Sequence, residues 1–292
     1  MLCVLGLSLS VQADDRLICC GGPEVFILSA KHDRPTVDDR VWRWQAKDSP
    51  EIPASMHGQF RTTDECKPYG DKLLVTSSSG GVALLNRADK KCLFFASARN
   101  AHSACLLPHD LVAVAASTGG DELQVFSLKE PGEKATPVAR LKLIGAHGAV
   151  WDPKRERVWA LGTHELLLVE VRNQAGKTML AVDGRWTLPT PGGHDLSPSR
   201  DSRYLFVTSN TAVYRFDTQE RSFAPFEPLA DAVEVKSIDE HPTTGRIVYH
   251  QADHANKTWW SDTIRFLDPT QTMTLADERL YKIRWDVERD SQ

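Results

Sequence analysis

Apolar residues in this chain come in short unbroken runs, closed off by Gly, Ser, Asn, Asp and Pro rather than spaced at helical intervals. Such runs predict antiparallel strands joined by tight turns. They pair into six hairpins. The first is Leu17–Cys20, a Gly21-Gly22-Pro23 turn and Glu24–Leu28. The second is Lys72–Thr76 and Val82–Leu85 across a Ser/Gly turn, and the third Leu111–Ala115 and Leu123–Phe126 across Gly119-Gly120. The fourth is Val158–Leu161 and Leu166–Val171, and the fifth Tyr204–Val207 and Ala212–Phe216. The sixth, Arg246–Tyr249 and Thr263–Leu267, has a longer loop through Trp259-Trp260.

Each hairpin after the first follows another short strand at a steady interval. Three of these leading pieces share a pattern: Asn100-Ala101-His102 to Pro108, Gly145-Ala146-His147 to Pro153, and the shorter Gly192-Gly193-His194 to Pro198. Counting from Thr62 through His102, His147, His194 and Lys236 gives spacings of 40, 45, 47 and 42 residues. A strand-rich repeat of this length is the signature of a propeller blade. Six hairpins predict an all-β, six-bladed β-propeller, a radial array of four-stranded sheets. No strand precedes the first hairpin, and a strand-like piece is left over at the C-terminus. Lys236 to Lys282 is again 46 residues, so Leu280–Trp285 is assigned as the innermost strand of blade 1, closing the ring. A two-sheet sandwich also has many short strands, but does not account for the matched spacing.

Composition narrows the function classes. Net charge is −4, and no basic face of the kind that binds nucleic acid stands out. No apolar run reaches the length of a membrane helix. Met1–Ala13 is apolar and small and ends Val-Gln-Ala before Asp14-Asp15, which reads as a secretory signal peptide without the usual basic start; a buried first strand is the alternative. The expected mature chain is therefore one exported propeller domain, residues 14–292, periplasmic or secreted. Its five cysteines, Cys19, Cys20, Cys66, Cys92 and Cys105, cannot all pair internally and read mostly as small buried residues.

The repeat also places chemistry. In a propeller the innermost strand of each blade lines the channel, and its first residues face one mouth. His102, His147 and His194 then occupy equivalent places on three consecutive blades, with Lys236 in blade 6, Lys282 or Arg284 in blade 1, and Arg61 to Asp64 in blade 2. Converging imidazoles suit a divalent transition metal such as Zn, Mn, Fe or Ni. Imidazoles bonded only to water and backbone are the plainer alternative. Lys236, Lys282, Arg284 and Arg61 suit a carboxylate or other anion. Asp64 or Glu65 suits a general base, if the two are not a solvated turn, Lys236, Lys282 or a His suits the proton transfer of a catalysed step, and Asp195 could orient an imidazole. Trp259 and Trp260 suit stacking on a sugar ring, or packing into the next blade.

The pieces "NAHSACLLP", "GAHGAVWDP" and "GGHDLSP", with "VKSIDEHPTTGRIVY" and "WWSDTIRFL", resemble a family of exported bacterial six-bladed propellers of unknown function. That resemblance implies the fold. A more distant architectural likeness is to oligogalacturonate lyases, propellers with a central metal held by His from neighbouring blades. It implies metal ligation by His102, His147 and His194, and contact of Lys236 or Lys282 with an acidic sugar. The expectation is a His-lined, metal-binding pocket at one channel mouth, taking a carbohydrate or other anionic small ligand in a lyase-like or hydrolase-like reaction. A non-catalytic ligand-binding or interaction propeller is the rival. A lactonase-like hydrolase usually needs acidic metal ligands, and the acid-poor ring argues against calcium. The expected partner is a small molecule or oligosaccharide, and the expected state a monomer.

Overall fold

In the computed structural model, which describes residues 16–29, 36–174 and 176–287, six four-stranded antiparallel sheets stand around a central axis. Met1–Ala13, the segment read as a signal peptide, lies outside the described residues. Blade 1 begins with β1 (Arg16–Cys20), β2 (Glu24–Ser29) and β3 (Arg40–Gln45). Blade 2 is β4 (Thr63–Tyr69), β5 (Lys72–Ser77), β6 (Gly81–Asn86) and β7 (Cys92–Ser97). Blade 3 is β8 (Ala101–Leu107), β9 (Leu111–Ala116), β10 (Glu122–Ser127) and β11 (Ala139–Lys142). Blade 4 is β12 (Gly148–Asp152), β13 (Arg157–Leu161), β14 (Glu165–Gln174) and β15 (Lys177–Thr187). Blade 5 is β16 (Asp195–Pro198), β17 (Tyr204–Thr208), β18 (Val213–Asp217) and β19 (Ser222–Pro225). Blade 6 is β20 (Val235–Glu240), β21 (Ile247–Gln251), β22 (Thr263–Leu267) and β23 (Gln271–Thr274).

The last strand, β24 (Lys282–Trp285), pairs with β1 and completes blade 1, as the leftover C-terminal piece predicts. It starts two residues later than expected, because Leu280 turns aside to bridge Ser261. The ring is thereby closed by hydrogen bonds between the two ends of the described chain.

The unbroken apolar runs have a direct cause. Each blade is covered on both faces, so successive side chains, which point to opposite faces, are both buried. In β5, Leu73 and Val75 join the core shared with blade 1, while Leu74 joins the core shared with blade 3. Six apolar clusters result, one at each junction between neighbouring blades. The described cysteines are all buried with free thiols.

Candidate functional site at the channel mouth

Six residues, one from each blade, ring one end of the channel. In blade order they are Tyr281, Asp64, His102, His147, His194 and Lys236. Two backbone devices place them. In β4, β8 and β20 the strand pairing slips by one residue, between Thr63 and Glu65, Ala101 and Ser103, and Val235 and Ser237. The extra residues are Asp64, His102 and Lys236. A β-bulge leaves such a residue outside the ladder and re-aims its side chain. In the other three blades the mouth residue immediately precedes the inner strand. There its amide donates to the adjacent strand: His147 to Leu161, His194 to Thr208 and Tyr281 to Cys20.

The rings form a continuous arc. Trp259 meets Tyr281 edge-on at 5.7 Å between centroids, and Tyr281 meets His102 at 6.0 Å. His102 and His147 lie 4.0 Å apart, and His147 and His194 5.4 Å apart. Trp259 is 44% exposed at the outer end of the arc, whereas Tyr281 is buried.

Hydrogen bonds assign the imidazole protons. A carbonyl only accepts, so a ring nitrogen facing one carries the proton. His102 Nδ1 lies 3.1 Å from the Asn100 carbonyl, and His147 Nδ1 lies 3.3 Å from the Gly145 carbonyl and 2.8 Å from Ser117 Oγ. Their Nε2 atoms therefore hold the lone pairs, and that of His102 is 3.5 Å from Asp64 Oδ1. His194 is held the other way round. Its Nε2 is 2.7 Å from Asn210 Oδ1, which only accepts, and 3.0 Å from the Lys236 ammonium, which only donates, so these two contacts call for opposite tautomers. Its Nδ1 is a buried atom with no hydrogen-bond partner.

Burial sets the charge states. It pushes His102 down to about 3 and His194 to about 4, and takes His147 well below the ordinary imidazole value. Neighbouring cations add to this, Lys282 at His102 and Lys236 at His194. All three rings are neutral at pH 7. Burial pushes Asp64 the opposite way, up to about 7, against hydrogen bonds from Ser78. Lys236 is lowered by burial, partly offset by Glu234, whose carboxylate it reaches at 2.5 Å.

The other sequence-predicted residues fall elsewhere. Lys282 and Arg284, two apart on β24, turn down the axis, and Tyr281 takes the blade 1 position at the mouth. Arg284 bridges Glu65, at 2.9 Å and 3.2 Å, and Asp195, at 2.8 Å and 2.6 Å. Lys282 Nζ lies 3.0 Å from Asp195 and 3.5 Å from Glu65. Arg284 and Lys282 hold Glu65 and Asp195 below the usual carboxylate range against the opposing effect of burial. Asp195 thus serves the axis and not an imidazole, because it points along the channel while His194 precedes the strand. Arg61 is exposed and donates to the Gly58 carbonyl. Trp260 packs under Arg279, at 5.1 Å. Sequence reasoning missed Tyr281, Glu234, Ser117 and Asn210. Of these only Tyr281 fell in a segment assigned to the channel, inside the expected Leu280–Trp285 strand; the structure starts that strand one residue after it.

Among the described residues no group of three or more His, Cys, Asp or Glu is gathered as a metal ion would need. His102 and His147 have the anchored Nδ1 and open Nε2 typical of metal-binding imidazoles. His194 does not share that arrangement, since its Nε2 is engaged by Lys236 and Asn210. Among the described residues no helix is long and apolar enough to cross a membrane.

Comparison with solved structures finds the β-propeller domain of Cps50 (Swd1) from Myceliophteria thermophila similar to this chain, at 14% identity and a TM-score of 0.57. The match covers 96% of this chain and 84% of that one, and it supports the propeller fold alone. No curated protein matches the chain. A family model matches residues 29–291, nearly the whole described propeller, and by that match the chain belongs to a family of unknown function, DUF6528.

Proposed function

We propose that the ringed mouth is a binding pocket for a small acidic sugar or a similar hydroxylated anion. The arc of rings from Trp259 to His194 is the observation that carries this reading. Trp259 offers an exposed aromatic face to the apolar side of a sugar ring. The neutral imidazoles next to it have lone pairs and N–H groups for hydroxyls. Lys236 supplies the cation for a carboxylate, with Glu234 as its resting partner. Lys282 and Arg284 are spent on internal acids, so Lys236 carries the anion contact.

If bound ligand is turned over, Asp64 and His102 are the pair placed to move a proton, 3.5 Å apart. The test is calorimetric titration with D-galacturonate and, in parallel, D-galactose. The uronate should bind at least about tenfold more tightly, a difference of about 1.4 kcal/mol. Lys236→Met should erase the difference while thermal melting verifies the fold. Equal affinity for both sugars, or no affinity for either, would sink the proposal. An absorbance screen for unsaturated products over acidic oligosaccharides then separates a lyase from a non-catalytic binder.

A second reading places a divalent transition metal on His102, His147 and His194. The carbonyl-anchored Nδ1 atoms of His102 and His147 favour it, as does the unpartnered Nδ1 of His194. It requires the His194 ring to leave Lys236. Elemental analysis of wild type and the triple alanine variant decides it, since equal metal content in the two would end the idea. Export belongs to the same proposal and rests on Met1–Ala13. N-terminal sequencing of protein recovered outside the cytoplasm should begin at Asp14.

A further inference from the structure

The channel beneath the mouth is shut from several sides. Lys282 Nζ, fully buried, lies 3.5 Å from the His102 carbonyl and 3.0 Å from Asp195. Arg284 of blade 1 bonds Glu65 of blade 2 and Asp195 of blade 5. Blades 2 and 5 stand three apart in a ring of six, so they face each other across the axis. A guanidinium bonded to both lies on that axis. Lys67 of blade 2 makes another crossing. Its ammonium donates to Ser103 Oγ and the Ala104 carbonyl of blade 3, at 3.1 Å and 3.0 Å, and to the Ala149 carbonyl of blade 4, at 2.7 Å.

Cations held this way do not swing aside for a passing ligand. Stripping one partner from a buried ion pair is strongly destabilising, and several partners would have to be stripped together. The mouth is therefore closed at its inner end and opens on one side only. Its deeper polar groups are nearly sealed, with the Asp64 side chain 4% exposed and that of His102 12% exposed. A unit inside a sugar chain carries neighbours on two sides and would have to lead both back out of one opening. A terminal unit leads out only one.

Resting on the acidic-sugar reading above, we infer that this one-sided mouth engages an acidic oligosaccharide by its end and not along its length. Entry and release then share one opening, and the chain beyond the first unit stays outside it. The full chain is titrated with D-galacturonate, with its trimer, and with the trimer reduced at one end and methylated at the other. Monomer and free trimer should bind within about threefold of each other, and the end-blocked trimer at least about tenfold more weakly. An end-blocked trimer that binds as well as the free one overturns the inference and leaves the acidic-sugar reading standing. Absence of binding by all three removes that reading, and this inference with it.

Discussion

The guanidinium of Arg284 makes two hydrogen bonds to the carboxylate of Asp195, at 2.8 Å and 2.6 Å, tying the ring-closing strand to blade 5 across the channel. Both side chains are buried. Arg284→Met leaves Glu65 and Asp195 buried without this cation, a change that typically costs about 3–5 kcal/mol. Urea unfolding of the variant should report a loss in that range. A loss under about 1 kcal/mol would mean that the ring closes without help from its axis.

Stability should fall toward acid, and its sign follows from the imidazoles. His102 and His250 are pushed by burial to about 3 and His194 to about 4, with His147 also well below its ordinary value. Unfolded, each takes a proton near about 6.5. Between those values the unfolded chain binds more protons, so stability is present above about pH 6.5 and is lost as pH drops toward 4. Asp64 opposes this, because a carboxylate raised to about 7 contributes most below about pH 3.9 and loses its contribution as pH rises through 7. Four imidazoles outweigh one carboxylate. Denaturant unfolding in chelator from pH 8 to pH 5 should show a decline, and His250→Gln should flatten it. A rise toward pH 5 would contradict the burial argument.

Gly145 turns the chain into blade 4 with φ at +56°, and a Cβ there would stand 2.0 Å from Thr163 Oγ1. Its carbonyl also faces His147 Nδ1. Gly145→Ala should destabilise by at least about 1 kcal/mol from the backbone alone. Adding Thr163→Ser should recover little, because that Oγ stays in place. Adding Thr163→Val removes the hydroxyl but leaves a methyl in its volume. The backbone part is thus identified by the double variant Gly145→Ala/Thr163→Ala, which should still melt below Thr163→Ala.

Trp259 and Trp260 should separate by function. Trp259 is 44% exposed, and its ring meets Tyr281 at the pocket edge. Trp259→Ala should leave stability within about 1 kcal/mol of wild type and weaken uronate binding by about tenfold, or about 1.4 kcal/mol. Trp260 is stacked by Arg279 instead. Trp260→Ala should act on melting temperature more than on affinity. The reverse pattern in calorimetry would move the sugar platform to Trp260.

The six-bladed ring was legible in the chain because its cause is local and repeated. A blade buried on both faces needs unbroken apolar strands, and Leu73-Leu74-Val75 displays that need without reference to any neighbour. The recurrence before Pro108 and Pro153 likewise marks where inner strands begin, and so brought His102, His147 and His194 to one mouth. What the tertiary structure decided was the direction of each ionisable side chain. Side chains alternate along a strand, so a one-residue slip moves a group from one face to the other. The bulges at Asp64, His102 and Lys236 are such slips, and single-residue spacing in sequence does not reveal them. β24 pairs with β1 without a slip, and its start at Lys282 sends Lys282 and Arg284 into the axis while Tyr281, just before it, takes the mouth. The sequence by itself thus determined that charged and imidazole groups converge on the channel. Only the pairing of strands decided which of them neutralise one another inside it and which are left to meet a ligand.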